Sequence, residues 1–181
     1  MVKDALKWTA VLSTEIEKVN FRFEANVFNI NAKAAKNKLI NGAFPICKLK
    51  DLLQSCYYGG RAKRNYVQRI EGETLGFLGS AEMLEINPQP TKFFSISTKN
   101  IESFKVKQGT ILISRSGTIG NVTIVNKTIA KHLISEHAIR MIAKEFAGYI
   151  YIYLKTNEGK AIVQSNIFGA VIQQIEPEHL L

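Results

Sequence analysis

Residues 106–126 read VKQGTILISRSGTIGNVTIVN, and they decide the class of fold. Gln108-Gly109 opens a strand of β-branched residues, Gly117 and Gly120 bracket a turn, and a second strand returns through Val122, Ile124 and Val125. Between the strands stands Arg115, flanked by Ser114 and Ser116. Two readings are open there: an ordinary hairpin with a solvated charge, or a turn that presents an arginine to an anion.

On either side the pattern stays short and interrupted. TKFFSIS, from residue 91, alternates as a strand, and LGFLGSAEMLEINPQP (75–90) runs from a short apolar strand through a glycine turn to an Asn-Pro break. SEHAIRMIA (135–143) reads as a further strand or a short mixed segment. YIYIYLKTNEGKAIVQ (149–164) predicts a helix despite its β-branched start, followed by a small-residue turn near Gly169 and a last strand. Upstream, NINAKAAKNKLING (29–42) favours a helix, with Asn31 as its cap and Gly42 as its stop. PICKLKDLLQSC (45–56) predicts a short strand or edge segment entering a short helix. The sum is an α+β chain with a mostly antiparallel, hairpin-rich twisted sheet and flanking helices.

A chain of 181 residues suits one domain, and 46% apolar residues supply a core. No run approaches the roughly 18–20 apolar residues of a membrane span. The opening MVKDALKWTAVLSTEIEKV has charges where a signal peptide has its apolar centre, so a cytoplasmic location without membrane contact is expected. Cys47 and Cys56 are too few for a disulfide framework, and neither their spacing nor that of His132 and His137 fits a zinc site. The net charge of +9, from 24 Lys+Arg against 15 Asp+Glu, points to a polyanionic partner.

Catalytic patterns are missing. There is no GxxxxGK[ST], and the Gly117/Gly120 pair lacks the third glycine and βαβ setting of a dinucleotide site. Ser114 and Ser116 stand outside any G-x-S-x-G elbow. With only two Asp in the chain, a cluster of hard oxygen ligands for a Mg²⁺-dependent nuclease is hard to assemble. No metal and no cofactor is expected. A binding surface fits better. YYGGRAKRNYVQR (57–69) carries Arg61, Lys63, Arg64 and Arg69, three tyrosines and no acid. Arginine can fork onto a guanine edge or a phosphate, and tyrosine can stack on bases. The same residues also suit a solvated loop, and His137 suits a structural role.

Taken in order, GFLGSAEM, FSIS, VKQGTILISRSGTIGNVTIV, SEHAIRM and YIYLKTNEGKAIVQSNIFGAVIQQI resemble a target recognition domain of the DNA specificity subunit of type I restriction-modification systems. Related domains occur in fused specificity regions of some type II enzymes. The resemblance covers residues 57–181, most strongly 105–175, and NFRFEANVFN is similar to the opening of such subunits. It implies a non-catalytic module that reads one half of a split target in double-stranded DNA. Methyl transfer to adenine would belong to a partner methyltransferase (modification) subunit, and cleavage to a restriction subunit. NPQP (87–90) lacks the aromatic of an adenine-methyltransferase motif, in keeping with that division.

The expected organisation is one recognition domain over 1–181, with a helical and connecting segment at 1–56 and a recognition core at 57–181. The family's spacer helix and second recognition domain are expected to be absent. The expected DNA-binding set is Arg61, Lys63, Arg64, Tyr66, Arg69, Ser80, Ser114, Arg115, Ser116 and Thr118, with Gly117 and Gly120 shaping the turn. Within it, Arg115 and its serines would grip the DNA backbone or brace the fold, and base reading would fall on Arg61–Arg69. A stand-alone type II specificity region, or a protein-interaction domain with incidental charge, is the alternative.

Overall fold

A computed structural model describes residues 10–61, 63–169 and 173–181. In chain order the regular elements are α1 (Ser13–Lys18), α2 (Ile30–Ile40), α3 (Leu49–Leu52), β1 (Leu53–Tyr58), β2 (Thr74–Leu78), β3 (Lys92–Ser95), β4 (Ile111–Ser114), β5 (Val122–Ile124), β6 (Leu133–Ile134), β7 (Ala138–Ala143), α4 (Ala147–Lys155) and α5 (Asn157–Ser165). The strands form two sheets. One is antiparallel throughout, in the order β1-β7-β4-β5. The other runs β3-β2-β6, with β2 antiparallel to β3 and parallel to β6. The α+β, mostly antiparallel expectation holds, and the 106–126 stretch is the β4–β5 hairpin.

Alternation along the central strands sorts the core into layers. Ile111 and Ile113 of β4, with Ile139 and Met141 of β7, face Ile150, Leu154 and Val163 of α4 and α5. Leu112 and Ala138 point the other way, into a second cluster with Leu78 and Ile134 of the smaller sheet. Beyond it, Phe77, Phe94, Ile101, Phe104 and Leu133 make a third. Strands β4 and β7 are therefore buried on both faces, between the helices and the second sheet.

Three local expectations need correction. The helix at 30–40 is capped by Asn29, whose side chain accepts from the N–H groups of Asn31 (2.9 Å) and Ala32 (3.1 Å), so Asn31 lies inside the first turn. The 45–56 segment has the reverse order: a single helical turn, α3, precedes strand β1. The helix expected over 149–164 is two helices. Thr156 stands between them in extended conformation, accepting from Gly159 N–H (3.0 Å) and donating to the Tyr153 carbonyl (2.6 Å), so one hydroxyl ends α4 and starts α5.

Gly169 does turn the chain, with φ +97°, but the strand expected after it falls partly on residues 170–172, outside the described residues. The described part is held by single bridges from Gln174 to Phe168 and Ser116. Residues 1–9 of the expected amino-terminal segment likewise lie outside the described residues, and the described remainder to residue 56 carries α1, α2, α3 and the start of β1. Among the described residues no helix is long and apolar enough to cross a membrane.

Candidate nucleic-acid interface

The β4–β5 turn is built by its own backbone. Gly117 and Gly120 adopt φ of +73° and +79°, the left-handed region open to glycine. A side chain at Gly120 would also press against Val163 of α5, 3.3 Å away. Ser114 is fully buried: its hydroxyl donates to the Thr118 carbonyl and accepts from the Asn121 N–H at 3.2 Å, closing the loop from inside.

Arg115 is 5% exposed. Its guanidinium pairs with Glu176, donates to Gln174 Oε1 (3.3 Å) and the Ile175 carbonyl (3.5 Å), and lies 4.5 Å over the Tyr58 ring. Arg115 is thus not a solvated hairpin charge, and the contacts it makes are those of a brace within the fold. Its Nε and Nη2 donors fasten the hairpin to the segment at 174–176, and its guanidinium plane lies against Tyr58 of β1.

Beside it a polar chain links two segments that sequence reading treats separately. Ser116 Oγ lies 2.9 Å from His137 Nδ1, and His137 Nε2 lies 3.2 Å from the guanidinium of Arg64. Arg64 in turn donates to Glu136 at 2.8 Å, and Ser135 donates to the other Glu136 oxygen at 3.1 Å. Burial pushes the Glu136 carboxyl upward, but the Arg64 hydrogen bond, backbone donation, the guanidinium charge and Ser135 together hold it below the usual carboxylate range. The sign follows. A depressed carboxylate adds stability that is complete above its unfolded-state pKa and lost as pH falls through the folded value. Glu136→Gln should therefore flatten part of the acid-side slope of urea midpoints measured against pH. The effect should be modest, because Arg64 is half exposed.

Arg140 was not among the sequence candidates. It sits on β7 at 1% exposure, donating to the Ser103 and Ile134 carbonyls (2.8 Å for the latter), and so joins the first sheet to elements of the second. Burial lowers its pKa, against the opposing influence of Tyr57 and Glu136. A Cβ at Gly59 would fall 2.7 Å from this guanidinium, so the start of the basic loop lies against a buried cation.

The remaining candidates divide by exposure. Arg61 and Lys63 are exposed and make no side-chain hydrogen bond or ion pair among the described residues, and Thr118 is exposed at the tip of the turn. Ser80 is half-buried and close to Gly117, its Oγ 3.9 Å from where a Cβ there would stand. Arg69 lies 5.9 Å over the Phe93 ring, and Tyr66 packs edge-on against Phe94 at 5.2 Å with the Lys92 ammonium 5.6 Å over the Tyr66 ring. Tyr66 thus caps the aromatic cluster while staying partly exposed. The structure joins Arg64, Ser116 and, through Gly117, Ser80, whereas Tyr66 and Arg69 sit apart on the smaller sheet.

No protein-family model and no curated protein matches the chain. Among solved structures, one describing complex assembly and conformational transition of the type I R-M system contains a chain that matches 92% of this one and 44% of itself, at 15% identity and a TM-score of 0.53. The fold is that of a type I restriction-modification component. The HsdS subunit from Thermoanaerobacter tengcongensis is similar at 14% identity, 92% of this chain, 45% of that one and a TM-score of 0.49. The type I S subunit from M. genitalium is similar at 14% identity, 72% and 30% coverage and a TM-score of 0.48. This chain spans less than half the length of each.

Proposed function

We propose that the chain is a DNA target recognition module of a type I restriction-modification system, reading one half of a bipartite double-stranded site without catalysing a reaction itself. One observation carries the reading: the exposed, acid-free basic loop and the glycine turn meet at one place, tied by the Arg64–Glu136–His137–Ser116 chain. Arg61, Lys63 and Arg69 would approach the duplex, with Thr118 and Ser80 at the adjoining turn. Ser114 and Arg115 would act from inside, holding the turn in shape. Glu136 would keep Arg64 oriented and, as a carboxylate, disfavour loose phosphate contact. The whole-subunit partners, a methyltransferase and a restriction subunit, belong to the same proposal.

Selection from a randomised duplex library at two salt concentrations tests it. The expected result is an enriched motif of a few base pairs whose affinity falls as salt rises. Each phosphate contact contributes about 0.9 to the log–log salt slope, so Arg61→Ala with Lys63→Ala should reduce that slope by up to ~2. Binding indifferent to salt, or no binding, would reject the reading.

A further inference from the structure

The outer edge of the four-stranded sheet lies open beside a cleft. Strand β5 ends the order β1-β7-β4-β5. Its hydrogen-bond phase is fixed by the bonds that flank it: Val125 N–H to the Thr110 carbonyl (2.8 Å) and Ser114 N–H to the Asn121 carbonyl (3.0 Å). Residues 121, 123 and 125 therefore face β4, and the N–H and C=O groups of Val122 and Ile124 point outward. Among the described residues no strand or side chain takes up those four groups. They open into a cleft of about 560 Å³, with Leu84–Ile86 on one wall and Tyr151, Lys155 and Lys160 on the other. A bond from Asn126 Nδ2 to the Ile86 carbonyl (3.0 Å) closes one end.

We infer that this cleft takes an extended, acidic peptide segment of a partner protein, which adds to β5 as a fifth strand. Two outward N–H and two outward C=O groups, spaced as in a ladder, match an extended backbone and not a phosphate, which could use only the donors. Leu84, Ile86 and Leu154 supply apolar floor for alternate side chains. Charge selects the occupant: two lysines against the single Glu85 favour an acidic strand. A second copy of β5 would bring the same two lysines with it, and a short edge flanked by lysine is the usual guard against self-pairing. The cleft adjoins the β4–β5 turn at Gly120 and Asn121, and the inference does not depend on the DNA reading.

The test uses amide hydrogen exchange of the full chain with a pool of ten-residue peptides in which Val, Ile or Thr alternates with Asp or Glu. Exchange at Val122 and Ile124 should slow at least tenfold with the pool at millimolar concentration. The protection should vanish when alternate peptide nitrogens are methylated, and weaken at least fivefold in Lys155→Glu/Lys160→Glu, whose exposed positions leave folding intact. No protection at those two amides would overturn the inference. So would protection by a twelve-base-pair duplex in place of the peptides, which would make the cleft a nucleic-acid surface. Protection that rises with protein concentration alone would instead assign the edge to a second copy.

Discussion

Arg115→Ala is expected to lower stability by about 3–5 kcal/mol, the usual cost of removing one partner from a buried ion pair. Glu176 would be left mostly buried without its guanidinium, and Gln174 and the Ile175 carbonyl would lose their donor. The Tyr58 ring would lose the cation stacked on it. Arg115→Lys should rescue only part of the loss, since a point charge cannot reproduce a fork that serves three acceptors. Urea unfolding with an unchanged m-value reads this directly. A loss below ~1 kcal/mol would mean that the guanidinium behaves as a solvated surface charge. The folded variant should keep the same preferred DNA sequence, because the side chain would brace the turn without touching bases.

Gly159→Ala should cost roughly 3 kcal/mol, at the upper end of overpacking penalties. At the α4–α5 elbow a Cβ would press into the Tyr153 carbonyl and stand 3.0 Å from the Leu154 Cα. Those are backbone atoms of the preceding helix, fixed by the Thr156 cap, so neither can swing aside. Gly148→Ala is the internal control. Nothing lies within 4 Å of its Cβ position, so a helix-favouring alanine should be neutral or mildly stabilising. A Gly159→Ala midpoint equal to that of the control would show that the elbow opens.

The hairpin was legible in the sequence because β-branched runs and two turn glycines agree at every level. The break at Thr156 was not, because TNEGK suits a continuous helix as well as a cap, and only the packing of Gly159 against Tyr153 forces the elbow. Arg115 could not be resolved from sequence: its neighbours are the same whether its acceptors are water or residues 60 positions away, as the Ile175 carbonyl is. Arg140 escaped for a related reason. SEHAIRMIA reads as a further strand or a short mixed segment, which says nothing of how many faces are covered, and β7 is covered on both, by helices on one side and the second sheet on the other. The signal available was an arginine in the middle of an otherwise apolar strand. Of the basic loop, composition and exposure were readable, while its link to the turn through His137 depends on contacts across 73 residues.

Strands β1 and β2 belong to different sheets, so the segment between them, residues 59–73, is the passage from one sheet to the other. Apart from Gly59, its described side chains are exposed, and Gly59 itself contributes no side chain to either layer. Within it, Arg61 and Lys63 make no side-chain hydrogen bond or ion pair among the described residues, so replacing them changes little of what holds the sheets together, which Arg140 spans by bonds to main-chain carbonyls. The chemistry displayed at those two positions is therefore uncoupled from the interior, whereas at Gly59, Arg64 and Tyr66 it is not.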